Sequence, residues 1–421
     1  MKRVAAVEEA VLDADPSDAI AIYERLIRLQ AELAPRLDFV NGAPKAPVIH
    51  NLVGSVQVSA NLVLDVAPKT TPGTDWQTAV IDLLARDRIH AGGPTQHAVL
   101  ARRPLPDAFA YLYADQLERA LRTAGPLLVI RHEAVRKPPL TGRLDVTTWL
   151  RSRQLAPHVF PQVTSRLTAD NEFTRALAWV ALALAARVTD PATRARLLRL
   201  GRDIRPGLPE HPILDPGVAH KPLPPQWREY VGAWVTATAI LRRISPLHRE
   251  GTQEGLNLAV EPWPLLETLL ARSLRHAARL GQAAGHDVTA GPKAKYPFLK
   301  AVGTTDEPKI EPDGVLRLNG APVASFEAKY STPTEKALRL HRFQLMTTAA
   351  ALGARLGVLV YPQAFEPRVW TNVGATTPPK VVVAVGVDMY AYRSGVGEQV
   401  QGGRLWDLVQ AHASLLTGTA A

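Results

Sequence analysis

The feature that most constrains the fold is a strand–turn–strand pattern near the carboxyl-terminal third of the 421-residue chain. Residues 321–331 (APVASFEAKYS) follow the turn dipeptide Asn319-Gly320 and contain Val, Phe and Tyr, which favour a β-strand. Residues 310–318 (IEPDGVLRL) predict the partner strand. The two segments together predict a β-hairpin.

Charged side chains are expected to converge on this hairpin. Side chains alternate along a strand, so Glu327 and Lys329 share one face, whereas Tyr330 faces the other side and is expected to pack in the core. The short connection brings Asp313 beside Glu327. Two neighbouring carboxylates repel one another, and a divalent cation relieves that repulsion. Hard oxygen ligands, in a chain without Cys or an HExxH pattern, favour Mg²⁺ or Mn²⁺ over Zn²⁺.

This chemistry is that of metal-dependent phosphodiester hydrolysis, in which Lys329 orients the attacking water or stabilises charge on the phosphate. A single E-x-K pattern on a strand is more often a solvated face with cross-strand charge pairing. Flanking segments favour the catalytic interpretation. Residues 264–280 predict a helix with Glu267 at the edge of a leucine stripe, and residues 334–352 predict a second helix that carries Gln344. Strands are predicted at 356–361 and 381–387.

The order helix, strand, strand, helix, strand, with Glu267, Asp313, Glu327, Lys329 and Gln344 in sequence, resembles the PD-(D/E)xK nuclease superfamily. Four segments are similar to the C-terminal part of the McrC family, which supplies the nuclease subunit of McrBC modification-dependent restriction systems: NLAVEPWPLLETLL, EPDGVL, FEAKYS and RFQLMTTAAALG.

The resemblance implies roles for individual residues. Asp313, Glu327, Glu267 and the main-chain carbonyl of Ala328 would hold Mg²⁺, with Mn²⁺ as an alternative. Lys329 would complete the catalytic set, and the helical residues Glu267 and Gln344 would support it. The resemblance also implies a partner, an AAA+ GTPase or other NTPase similar to McrB, and a DNA substrate that carries modified bases.

The expected fold class is α/β, or α+β over the whole chain. Residues 251–421 are predicted to form a PD-(D/E)xK nuclease domain with a mixed central sheet flanked by helices. Residues 1–250 are predicted to form a β-containing and then helical region that docks the partner. Within that region we expect helix in residues 4–36, β-structure in 47–68, no regular element in 206–225, where seven prolines fall, and a hinge in 245–255.

Composition limits the classes of protein that fit. The formal charge of +10 suits a polyanion such as DNA. The absence of cysteine excludes disulfides and fits a reducing cytoplasm, and MKR is followed by only four apolar residues before Glu8, so no export signal is expected. The apolar run 176–186 is too short to span a bilayer, so no membrane is implied. No phosphate-binding GxxxxGK[ST] motif occurs, so any motor must be another protein.

Two further features have alternative interpretations. An arginine-rich stretch could follow a DNA backbone or form a solvated or protein-docking face, and we favour the second interpretation; its members are Arg187, Arg194, Arg196, Arg199, Arg202 and Arg205. His341 could approach the catalytic residues or cover a helix face, and again we favour the second.

The leading hypothesis is a cytoplasmic, Mg²⁺-dependent endodeoxyribonuclease subunit of a McrBC-like restriction system that defends against phage and other foreign DNA. One alternative is a non-catalytic accessory subunit that stimulates the partner NTPase. Another is a stand-alone DNA repair nuclease, which would cut without any partner. Fold alone does not decide among these functions.

Overall fold

The computed structural model describes residues 2–33, 38–59, 61–70, 76–84, 105–209, 211–244, 258–291, 293–297, 309–372, 379–393 and 395–412. The hinge predicted in residues 245–255 lies outside these ranges.

The described chain contains both strands and helices, several of them in consecutive runs of one type. The strands are β1 (Lys2–Val7), β2 (Val40–Ala43), β3 (Ala46–Ile49), β4 (Val53–Ser59), β5 (Leu62–Ala67), β6 (Val129–Lys137), β7 (Arg143–Leu144), β8 (Phe160–Thr168), β9 (Leu258–Val260), β10 (Val288–Gly291), β11 (Tyr296–Pro297), β12 (Lys309–Ile310), β13 (Gly314–Leu318), β14 (Ala321–Ala328), β15 (Leu356–Tyr361), β16 (Arg368–Thr371) and β17 (Val381–Gly386). The α-helices are α1 (Pro16–Leu33), α2 (Trp76–Leu84), α3 (Leu105–Ala124), α4 (Val146–Ser152), α5 (Glu172–Ala185), α6 (Pro191–Asp203), α7 (Val231–Ile244), α8 (Pro262–Ala283), α9 (Glu335–Leu352) and α10 (Gly397–Ala411).

The chain divides into two compact units, and the first is discontinuous. One unit comprises Met1–Ala108 and Arg249–Ala421, and the other comprises Phe109–His248. This division differs from the predicted regions 1–250 and 251–421, because the first hundred residues belong with the carboxyl-terminal segment. The physical reason is a sheet of order β1-β5-β4-β9, in which Val53 of β4 pairs with Val260 of β9.

The first unit contains a six-stranded mixed sheet of order β10-β13-β14-β15-β17-β16. The β14–β15 and β15–β17 pairs are parallel, and the remaining neighbours are antiparallel. Side chains of α9 pack on one face, where Leu338 and Leu345 join a buried cluster with Leu359 and Tyr361 of β15. Helix α8 packs against β13 and β14. A mixed sheet with flanking helices was the expected fold class.

The predicted hairpin is confirmed. Asn319 and Gly320 both have positive φ, 50° and 80°, which suits a two-residue hairpin turn, and Leu318 pairs directly with Ala321. Gly314 opposes Phe326 in the same antiparallel pair. A side chain at Gly314 would collide with Leu274 of α8, since an added Cβ would lie 2.3 Å from the Leu274 Cδ1 atom.

The predicted helix in residues 4–36 is wrong at its beginning. Residues 2–7 form β1 and pair in parallel with β5, which buries Val4 and Ala6. This long-range pairing overrides the local helix preference of an alanine-rich segment. Helix α1 begins only at Pro16, a residue that suits the first turn of a helix.

In the second unit, helices α5, α6 and α7 accompany an antiparallel sheet of order β6-β8-β7. Residues 206–225 were expected to contain no regular element, but the 3₁₀-helix Pro216–His220 lies within them, and a second, Pro225–Tyr230, begins at their last residue. Proline occupies the first helical position in both, where its missing N–H costs nothing. The Asp215 carboxylate caps the first by accepting from the Gly217 N–H.

Three of the six arginines in the arginine-rich stretch of the second unit form ion pairs. Arg196 and Arg199 both bind Glu118 of α3, and the buried Arg205 lies 3.4 Å from Asp170. These contacts support a structural role for the stretch. Among the described residues, no helix combines the length and the apolar composition needed to cross a membrane.

Candidate active site

Glu327 and Lys329 lie at the carboxyl end of β14, at the edge of the buried sheet. Their side chains are 5% and 16% exposed, and Lys329 Nζ donates to Glu327 Oε2 at 3.2 Å. The Lys329 N–H also donates to the Val360 carbonyl at 2.8 Å, which extends the parallel pairing to β15 past the end of the strand. Both charged groups are therefore held on a rigid strand terminus.

Asp313 immediately precedes β13 and reaches across the hairpin to β14. Its Oδ2 atom accepts from the Ala328 N–H at 2.9 Å, and its side chain is only 9% exposed. The structure thus places Asp313 beside Glu327, as the short hairpin predicts. It also places Ala328, the predicted carbonyl ligand, between the two catalytic candidates of β14.

Glu267 of α8 approaches Asp313 through a lysine that the sequence analysis missed. Lys293 Nζ lies 2.9 Å from Glu267 Oε1 and 3.1 Å from Asp313 Oδ1, so one ammonium bridges the two carboxylates. Lys293 follows β10, which pairs with β13. In the sequence, Lys293 is only a lysine two residues after Gly291, the last residue of β10. That position indicates no role in the site unless the pairing of β10 with β13 is known.

Burial and mutual repulsion govern the electrostatics of these groups. Burial raises the pKa of Glu327, as does the charge of Asp313, while Lys329 and a hydrogen bond with Thr348 act in the opposite direction. Burial also raises the pKa of Glu267, where Lys293 partly offsets the effect and Asp313 adds to it. Burial would lower the pKa of Lys293, but its hydrogen bonds to the two carboxylates outweigh burial and raise the pKa.

Helix α9 carries Gln344, and it also places Thr348 and His341 near the charged cluster. Gln344 is exposed, and its main-chain carbonyl accepts from the Thr348 hydroxyl at 3.1 Å. Thr348, one turn later and buried, is close enough to Glu327 to lower its pKa. His341 is half-buried, with its Nδ1 atom 2.8 Å from the Tyr361 hydroxyl, and burial followed by the nearby charge of Lys329 lowers its pKa. His341 therefore lies beside the charged cluster.

Tyr330 follows Lys329 and joins a buried polar network instead of packing only through its ring. Its hydroxyl donates to Glu8 Oε2 at 2.6 Å and lies 2.7 Å from the Tyr390 hydroxyl. Because a phenol has a single proton, Tyr390 must donate to Tyr330 when Tyr330 donates to Glu8. Burial raises the pKa values of Glu8 and both tyrosines. The end of β1 is thereby tied to the residue next to Lys329.

The donor atoms suit a hard cation, although not as a three-carboxylate cage. Among the described residues, no three His, Cys, Asp or Glu side chains cluster closely enough to hold a metal ion. Asp313 and Glu327 are close enough that one raises the pKa of the other, and both are oxygen donors. A divalent cation would compensate this repulsion. The ammonium of Lys293 stands between Asp313 and Glu267.

The fold and the cluster define a class: an α/β protein whose mixed sheet holds two carboxylates and a lysine at one strand end. The sequence matches the family model described as the McrBC 5-methylcytosine restriction system component over residues 48–362, most of the chain. The chain therefore belongs to the McrBC family. A comparison with curated proteins found no significant match.

Solved structures agree at the level of the fold. One similar structure is a half-complex of the tetradecameric assembly of Thermococcus gammatolerans McrB AAA+ hexamers with bound McrC, at 16% identity and a TM-score of 0.63, covering 97% of this chain and 100% of that one. Another is the T. gammatolerans McrBC complex, at 17% identity and a TM-score of 0.51, covering 65% of this chain and 88% of that one. The fold is thus similar to that of McrC.

Proposed function

We propose that this protein is the endonuclease subunit of a McrBC-like restriction system and that it hydrolyses DNA phosphodiester bonds by PD-(D/E)xK chemistry. The observation that carries the proposal is the convergence of Asp313, Glu327 and Lys329 at one end of the β13–β14 hairpin. Two acids and a lysine at a sheet edge match the residue types that such hydrolysis needs.

Asp313, Glu327 and the Ala328 carbonyl would hold Mg²⁺ or Mn²⁺, which would polarise the scissile phosphate and lower the pKa of a bound water. Lys329 would orient the attacking water or stabilise negative charge on the phosphate. Its position 3.2 Å from Glu327 keeps the ammonium within the cluster. Glu267 and Thr348 would support the set by fixing the positions of Asp313 and Glu327.

The same proposal assigns partners. McrC of T. gammatolerans is bound to McrB AAA+ hexamers, and we propose that this chain likewise acts with an NTP-hydrolysing AAA+ protein in the cytoplasm. The family description names 5-methylcytosine restriction, which supports modified DNA as the substrate. A formal charge of +10 is compatible with a DNA-binding subunit.

Cleavage of modified plasmid DNA, with Mg²⁺ and the cognate motor present, tests the proposal. Asp313→Ala and Lys329→Ala should each reduce the cleavage rate by about 100-fold or more, since each removes a group that stabilises the transition state. Lys336→Ala is the matched control, because Lys336 is an exposed lysine in the first turn of α9. Circular dichroism and binding to the motor should be unchanged in all three variants.

Wild-type rates of cleavage in either catalytic variant would refute the assignment. If the wild-type protein cuts no DNA, but both it and Glu327→Ala stimulate the motor's NTPase equally, the accessory-subunit alternative replaces the nuclease proposal. Cutting by this chain without any motor would instead favour a stand-alone nuclease.

A further inference from the structure

A second candidate site lies between α9 and the edge strand β16, in a cavity of about 330 Å³. Arg339, Arg342 and Phe343 line it from α9, where spacings of three and four residues place them on one side of the helix. Trp370 and Asn372 line it from the end of β16. Its volume falls within the range of about 300–1,000 Å³ that is typical of small-molecule sites.

The lining combines aromatic faces with positive charge. Of the described lining residues, two are arginines and none is acidic. The Arg342 guanidinium lies over the Trp370 ring, 4.5 Å from its centroid, and Trp370 packs against the buried cluster of the sheet. The Phe343 ring is 61% exposed. The cavity therefore offers one accessible aromatic ring, a guanidinium held against Trp370 and a second arginine that can bind an anion.

The cavity lies on the same sheet face as Glu327. Glu327 pairs in register with Leu359 of β15, which belongs to the cluster beneath α9, and Val382 of β17 extends that cluster toward Trp370. Three strand spacings separate β14 from β16, a lateral distance of about 14 Å, which equals the rise of roughly four base pairs of duplex DNA. His341, one residue before Arg342, lies between the two sites through its contact with Tyr361.

We propose that this cavity binds an unpaired nucleotide of the DNA strand, close to the site of cleavage. The base would stack on Phe343 and on the guanidinium of Arg342, which covers Trp370, while Arg339 contacts the flanking phosphate. Stacking on aromatic side chains together with cationic contacts to phosphate is the usual way in which proteins hold single-stranded DNA. The proposal rests on the nuclease function and adds a strand-holding site to it.

Fluorescence anisotropy of the full-length protein in EDTA, where no metal-dependent cutting occurs, tests this site. The probes are a labelled single-stranded oligodeoxynucleotide and an abasic strand of the same length. Phe343→Ala should weaken binding of the base-bearing strand roughly tenfold and leave the abasic strand unaffected, because only the base can stack. Arg339→Gln should weaken binding of both strands. It should also reduce the slope of the logarithm of the binding constant against the logarithm of the salt concentration by about 0.7, because one phosphate contact is lost.

Leu340→Ala is the matched control, since Leu340 is a 62% exposed apolar residue of α9 that does not line the cavity. It should bind both strands as the wild-type protein does. Unchanged affinity of Phe343→Ala for the base-bearing strand, or an equal loss on both strands, would overturn the proposal. A free nucleotide has the same chemistry, so binding of ATP and GTP is measured separately with the same variants. If Phe343→Ala and Arg339→Gln lose ATP or GTP binding but bind both DNA strands as the wild-type protein does, the cavity is a site for a free nucleotide instead.

Discussion

Lys293 is the residue that the sequence pattern did not reveal and that most alters the site. Asp313, Glu327 and Lys329 could be predicted because an Asn-Gly hairpin is a local structure with a fixed register. Lys293 depends on the pairing of β10 with β13, and Glu267 meets it only because α8 packs nearby. Contacts between distant segments follow from tertiary packing, which no local pattern encodes.

Lys293→Met should tighten Mg²⁺ binding several-fold. The substitution removes an ammonium that competes with the metal for Asp313, and a partly exposed ion pair is worth on the order of 1 kcal/mol. Isothermal titration calorimetry with Mg²⁺ alone measures the effect. Lys336→Met, at an exposed position of α9, serves as the control. Weaker metal binding in Lys293→Met would show that the ammonium organises the carboxylates instead of competing for them.

At the scale of elements, helix boundaries near the site were predictable and the first strand was not. The helix predicted in residues 334–352 is α9, where the Thr334 side chain caps the start and Gly353 ends the helix with φ 69°. The predicted strand 356–361 coincides with β15. By contrast, β1 has an alanine-rich sequence and becomes a strand only by pairing with β5.

Alanine substitutions at two adjacent glycines of α10 should change the free energy of unfolding in opposite directions, because only one of these glycines packs against α8. Gly402→Ala should lower the free energy of unfolding by about 1–3 kcal/mol, because its Cβ would lie 2.7 Å from the Ser273 carbonyl oxygen. Gly403→Ala should raise it by up to about 1 kcal/mol, since nothing lies within 4 Å and alanine favours the helix. Urea denaturation monitored by circular dichroism distinguishes them. Equal effects would mean that the two helices do not pack closely at Gly402.

At the scale of the whole molecule, the division of the chain into units escaped sequence analysis. The hinge predicted in residues 245–255 implied a single boundary near residue 250. The first unit instead uses both ends of the chain, since β4 pairs with β9 and Glu8 bonds to Tyr330. Patterns along a sequence reveal where an element ends, but they do not reveal which distant element it joins.

The buried Glu8 predicts how the stability of the first unit depends on pH. Because burial raises the pKa of Glu8 above 4.5, the folded state binds more protons than the unfolded state, and stability falls as pH rises above that value. Glu8→Gln keeps an acceptor for Tyr330 and removes this titration. We expect a melting temperature that depends less on pH above pH 4.5 than that of the wild-type protein, and a higher melting temperature than wild type at neutral pH. A steeper dependence in Glu8→Gln would contradict the assignment.

The pairing of β4 with β9 has a consequence for biosynthesis. The amino-terminal strands are synthesised well before β9, which contains Val260 and pairs with β4. The unit Phe109–His248, by contrast, is one continuous segment of the chain. Domains generally fold as units while translation proceeds. The unit Phe109–His248 should therefore fold first. The β4–β5 hairpin keeps one edge of β4 unpaired until β9 has been synthesised.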